Sequence, residues 1–172
     1  RCNLSQGVGD AARTVGQYIN DGGANNRERR GHRMWCLYPQ LSATGFGVAG
    51  QMSAMHCFEH KGDRLKDSHA YPGKGFFPAD RVLGNAWSLY LTESAPDKSE
   101  LTVEVYKLGK RPSGSFGWHE DIPGRKLDVQ YVNPVGKTIN FEPDSDTVNS
   151  RGVYFVRITG GGVREQYVTE LY

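Results

Sequence analysis

Few side chains in this 172-residue sequence have the type and spacing to do chemistry. His56 and His60 stand four apart with Cys57 between them, a separation that suits metal ligands on a helix, but here they straddle a strand end. The other cysteines, Cys2 and Cys36, form no CxxC pair and no zinc-ligand spacing with Cys57, so all three are disulfide candidates or free thiols, with one left over within the chain. A Cys36–Cys57 bond would tie a short helix to the strand after it, and a bond from Cys2 to either would pin the amino terminus. Ser5, Ser53, Ser68 and Ser88 sit in no G-x-S-x-G elbow. Gly7-Val8-Gly9 and Gly160 to Gly162 lack the GKS or GKT ending of a phosphate loop and read as turns. Asn3-Leu4-Ser5 is a glycosylation sequon with Asn3 as acceptor, meaningful in a glycosylating secretory pathway. Trp87 and Trp118 are candidate ligand-contact aromatics, because exposed rings stack on sugars; within an alternating strand such residues are core.

Composition narrows the classes. With 21 basic and 19 acidic residues interspersed, the net charge of +2 is not the electrostatic footprint of a nucleic-acid binder. Arg27, Arg29, Arg30 and Arg33 cluster, and such short charge runs read as a solvated helix start and loop, with Arg33 also expected to pair with a carboxylate or carbonyl. No apolar run approaches the length of a membrane span. The chain opens at Arg1-Cys2-Asn3 without a methionine or a visible signal peptide, which predicts a processed product or a piece cut from something longer, with an extracellular origin the better fit. Frequent glycine and aromatic residues favour a turn-rich, β-rich protein.

The elements that would position these residues follow from periodicity. Val8, Ala11, Ala12, Val15, Tyr18 and Ile19 recur at helical spacing, with Asp10 near the positive end, and Asp21-Gly22-Gly23 should stop the helix. A shorter helix over Arg30 to Leu37 is ended by Pro39. Gly45 to Phe58 reads as one strand, and the charged Glu59 to Ala70 as a connecting loop. Beyond it, Leu101, Val103 and Val105, and then Leu127, Val129 and Tyr131, alternate with period two. Turn signals, including Pro143 to Ser150, divide the region into roughly seven short strands. Gly160-Gly161-Gly162 predicts a hairpin turn with positive backbone dihedrals.

Two motifs carry a resemblance. Gly31-His32-Arg33-Met34-Trp35-Cys36-Leu37-Tyr38-Pro39, followed by Thr44-Gly45-Phe46-Gly47-Val48, has the pattern GHRxWxLxPxLxxxGxG. It resembles the second half of a CAP domain, of the cysteine-rich secretory, antigen 5 and pathogenesis-related superfamily, in the bacterial style where GHR replaces GHYTQ. Tyr71-Pro72-Gly73-Lys74-Gly75-Phe76-Phe77-Pro78-Ala79, with Trp87-Ser88-Leu89 after it, resembles the segment that follows the CAP module in bacterial two-part proteins. The resemblance implies an α+β protein: a partial CAP-like α-β-α module over residues 1–58, a linker over 59–70, and an immunoglobulin-like antiparallel β-sandwich over 71–172. In that family two histidines and two acidic residues line a cleft that holds a divalent metal in some members. His32 matches the motif histidine and Asp21 falls near the second acidic position, while the first histidine and glutamate belong to segments upstream of Arg1. His32 and Asp21 are therefore the metal-ligand candidates of an incomplete tetrad. No cofactor is implied without the missing half, and no residue is assigned as catalytic.

The functional expectation is a secreted, non-catalytic binding or structural subunit. A half module exposes apolar surface, which its own amino-terminal fragment would cover, or other copies of the chain in an oligomer or fibre. Two alternatives differ in class: a metal-dependent CAP-type hydrolase completed by the missing half, and a cell-surface carbohydrate-binding module with a glycan as ligand.

Overall fold

Twelve strands and two α-helices make up the regular structure, apart from two 3-10 turns, among the residues that the computed structural model describes, which are 2–23, 25–63, 66–144 and 150–172. Strand accounts for 44% and helix for 13% of the chain, so the expected α+β class with an α-β-α module is corrected to a β-rich fold with three sheets. The chain separates into two units, Arg1–Asp67 and Ser68–Tyr172.

The first unit contains β1 (Cys2–Gln6), α1 (Ala11–Asn20), α2 (Gly31–Cys36), β2 (Ala43–Ala49) and β3 (Met52–Glu59), with β3 between β1 and β2 in an antiparallel sheet. α1 begins at Ala11 because Asp10, in extended conformation, accepts from the Ala12 and Arg13 amides at 2.8 and 3.1 Å, the arrangement of an N-cap. The expected strand Gly45 to Phe58 is a hairpin instead, turned at Gly50-Gln51 with Gly50 at φ 57°. Within this unit the described residues pack on one face of the sheet. Ser53, Met55 and Cys57 are buried with Tyr18 of α1, and Trp35 and Cys36 of α2 pack beside them; Met52 and His56, which alternate with these residues along β3, are exposed. The second helical layer of an α-β-α sandwich is absent among the described residues, which is the physical reason the module does not form.

The second unit contains β4 (His69–Tyr71), β5 (Gly75–Phe77), β6 (Trp87–Tyr90), β7 (Thr102–Leu108), β8 (Gly124–Leu127), β9 (Val129–Val135), β10 (Thr138–Pro143), β11 (Gly152–Gly160) and β12 (Val163–Leu171). They form a four-stranded sheet, β4-β6-β10-β9, and a five-stranded sheet, β5-β12-β11-β7-β8. Trp87, Leu89, Ile139 and Phe141 of the first share one core with Val105, Val156, Ile158 and Leu171 of the second, so the sheets pack face to face. Trp87 meets Tyr154 edge-on at 5.4 Å. The expected wholly antiparallel arrangement also requires correction, because β5 runs parallel to β12. The outer face of the five-stranded sheet is not bare: Phe116 and Ile122, from the connection between β7 and β8, pack on Leu108, Val153 and Phe155. The hairpin predicted at Gly160 to Gly162 joins β11 to β12, with φ of 107°, 55° and 84°. Most of the turn read at Pro143 to Ser150 lies outside the described residues. Among the described residues no helix is long and apolar enough to cross a membrane.

Candidate functional site

The strongest grouping of polar side chains lies where α1 ends and α2 begins. Asp21 follows α1 in the left-handed region, at φ 46°, and its amide donates to the Gln17 carbonyl at 3.0 Å. That conformation turns its carboxylate toward the first turn of α2. Oδ2 accepts from the His32 amide at 2.8 Å and from the Arg33 amide at 3.4 Å, and Oδ1 contacts His32 Nδ1 at 2.8 Å. Opening amides of a helix have no partner within it, so Asp21 supplies what α2 lacks. The two residues singled out as metal candidates are thus in direct contact.

The electrostatics of this contact favour the charged form of His32. The hydrogen bond to Asp21 is the main cause of a raised His32 pKa; burial opposes it, and the Asp21 charge and a hydrogen bond to the Leu4 backbone reinforce it. Asn26 Nδ2 lies 3.3 Å from the same Nδ1, and the Tyr18 ring stands 5.6 Å from the imidazole. A divalent metal needs three protein donors for a catalytic site, and no group of three His, Cys, Asp or Glu side chains is placed to supply them among the described residues. The Asp21 carboxylate holds Nδ1 and also serves two amides, so it orients the ring and joins the two helices. No hydroxyl or thiol among the described residues hydrogen-bonds to the ring, so the pair also lacks the nucleophile that a histidine–carboxylate relay would activate.

Two arginines complete the junction. Arg33 is wholly buried, and its Nε donates to the Ile19 carbonyl at 2.6 Å, with a second contact from Nη2 to Asn20 O at 3.4 Å. Arg30, also buried, donates from Nη1 to Asn20 O at 2.5 Å. The last carbonyls of α1 carry the negative end of its dipole, and cations stabilise them there. Both lie in the run read from sequence as solvated, and the pairing expected for Arg33 is with the Ile19 carbonyl. The signal that would have found them is the position of Arg33 one residue after His32, on a helix whose opening amides face the end of α1.

The other sequence candidates are dispersed. His56 is exposed on one face of β3 and Cys57 buried on the other, while His60 bonds to the Cys57 carbonyl and packs against Tyr38 at 4.4 Å and Trp35 at 5.7 Å. Cys2 is exposed, Cys36 partly buried and Cys57 buried, and all three are free thiols. Cys36 Sγ lies 3.4 Å from Met55 Sδ, and burial, helped by Cys57, pushes its pKa up to about 12. Asn3 is buried, with Nδ2 donating to the His32 carbonyl at 3.1 Å, which leaves no room for a glycan on that atom. Trp87 is core and offers no face to a ligand. Trp118 borders an open cleft of about 430 Å³ with His119 and Arg164, and the Arg164 guanidinium, 4.5 Å from its ring, covers one face. Beneath the β7–β8 connection, Lys74 and Arg111 line a pocket of about 290 Å³, where Glu165 and Glu170 pair with them at 3.4 and 3.3 Å. No family model, no curated protein and no solved structure matches this chain.

Proposed function

We propose that this protein is a non-catalytic extracellular binding or structural subunit whose first unit is completed by self-association. The observation that carries the reading is where apolar side chains meet solvent. Of the seven large hydrophobic residues that are exposed, five belong to the first unit, Leu4 at 61%, Met52 at 50%, Phe46 at 42%, Val15 at 38% and Val48 at 38%, and two, Phe76 and Tyr172, to the larger second unit. Concentrated apolar exposure of this kind marks surfaces that bind other proteins. The His32–Asp21 pair supports the non-catalytic part, because both residues are engaged in joining two helices. Kinship with CAP proteins, and the secretion it implies, rest on the two sequence motifs alone.

Native mass spectrometry of the full chain, with and without reductant, tests this reading. Species at multiples of 19.1 kDa that survive reductant are expected. A monomer at every concentration would count against self-association, and divalent-metal-dependent hydrolysis that His32→Ala abolishes would overturn the non-catalytic assignment.

A further inference from the structure

We propose that β2 is a pairing edge through which two copies of this chain join their three-stranded sheets, antiparallel and about a two-fold axis at Phe46. The proposal rests on the self-association reading and names its interface.

The two edges of the sheet differ. Along β1, Gln17 Nε2 donates to the Gln6 carbonyl at 3.0 Å and the His32 ring bonds to the Leu4 backbone, so helix side chains cap that edge. β2 has β3 on one side only, and all seven of its residues are exposed. Among the described residues no group outside β3 hydrogen-bonds to its backbone. The two-residue turn at Gly50-Gln51 fixes which groups point outward. Residues flanking such a turn form a hydrogen-bonded pair, and pairs then alternate along the ladder. Ala49, Gly47 and Gly45 therefore turn their N–H and C=O groups toward β3, and Val48 and Phe46 turn theirs to solvent, up to the register shift between Ala43 and Gly45. A free row of this kind templates another strand unless lysine, proline or charge blunts it. β2 has none of these, and no residue from Leu41 through Met55 is charged.

The occupant is a second copy because the strand reads almost alike in both directions: Ala-Thr-Gly-Phe-Gly-Val-Ala. With the axis at Phe46, that residue faces Phe46 of the partner subunit, Thr44 faces Val48 of the partner subunit, and Gly45 faces Gly47 of the partner subunit. Phe46 and its counterpart then exchange both backbone bonds, with an aromatic pair at the centre and β-branched pairs beside it, both favourable across strands. The contact is isologous and closes at two copies. The glycines agree with it. A Cβ at Gly45 or Gly47 would meet nothing within 4 Å, and neither residue has positive φ, so the single chain does not require glycine at either position. Close backbone approach, about 4.5 Å between Cα atoms in a non-hydrogen-bonded pair, gives both a role.

Sedimentation velocity of the full chain should report a dimer of the 19.1 kDa subunit. Phe46→Lys sets like charges opposite each other at the axis and should leave a monomer with an unchanged far-UV circular dichroism spectrum. A cross-linking pair reads the register independently of that variant's folding. In a Cys2→Ser background, Phe46→Cys should form a covalent dimer on mild oxidation, since Cα atoms about 5.5 Å apart suit a disulfide, whereas Val48→Cys should not. A monomeric unmodified chain overturns both the self-association reading and this proposal. An oligomer that persists in Phe46→Lys and gives no cross-link through Phe46→Cys overturns the β2 axis alone, as does cross-linking through Val48→Cys in its place.

Discussion

Asp21 holds a backbone conformation that favours glycine or asparagine while presenting a carboxylate to the next helix, and His32 converts that contact into a pH dependence. A histidine whose folded pKa is raised above its unfolded value near 6.5 contributes stability that is fully present below that value and lost as pH rises through the folded one. The midpoint of thermal unfolding of the first unit should therefore fall as pH rises above about 6.5. Asp21→Asn keeps a residue that tolerates the left-handed backbone and removes the charge, so it should flatten that slope; circular dichroism melts across pH would show an unchanged slope if the pair were unimportant. The grouping of these two residues was legible only through the resemblance to CAP proteins, which put both in one incomplete tetrad; their spacing in the sequence does not show it. The burial of Arg30 and Arg33 was not legible, since clustered charge is normally solvated, and only the open carbonyls at the end of α1 reverse that rule.

Among the elements, the hairpin between β11 and β12 was the most legible, because three consecutive glycines leave little alternative to a turn with positive φ. Gly160 has a second constraint: at φ 107° an added Cβ would overlap the Glu100 carbonyl oxygen. Gly160→Ala should lower the stability of the second unit by about 3 kcal/mol, measured by denaturant unfolding, and a loss below half of that would mean the 3-10 turn at Lys98–Glu100 moves aside. β1 was not legible. Its one strongly apolar side chain, Leu4, points to solvent, and the inward Asn3 is polar, so the strand lacks the alternation that a half-buried strand displays. The β2–β3 turn escaped for a related reason: Gly50-Gln51 is not a strong hairpin dipeptide, and apolar residues continue on both sides of it.

Over the whole molecule, the two units have unequal cores, and this decides how the chain should unfold. The first buries Tyr18, Met55 and Cys57 at its centre, while the second buries more than a dozen apolar side chains between its sheets. Calorimetry should show two transitions, the lower one sensitive to pH through His32 and the upper one not; a single transition that moves as a whole with pH would reject the assignment. The fold class was misread because a motif on one short helix was extended to a partial α-β-α module, although a second helical layer is absent among the described residues. The placement of β12 has a temporal consequence. It lies between β5 and β11, yet it is the last strand of its sheet to leave the ribosome, and its parallel partner β5 is among the first of the unit to emerge. Until translation reaches Val163–Leu171, the nascent sheet has a gap in its interior, so this unit assembles after synthesis of its far end, through contacts of long sequence separation that slow the search.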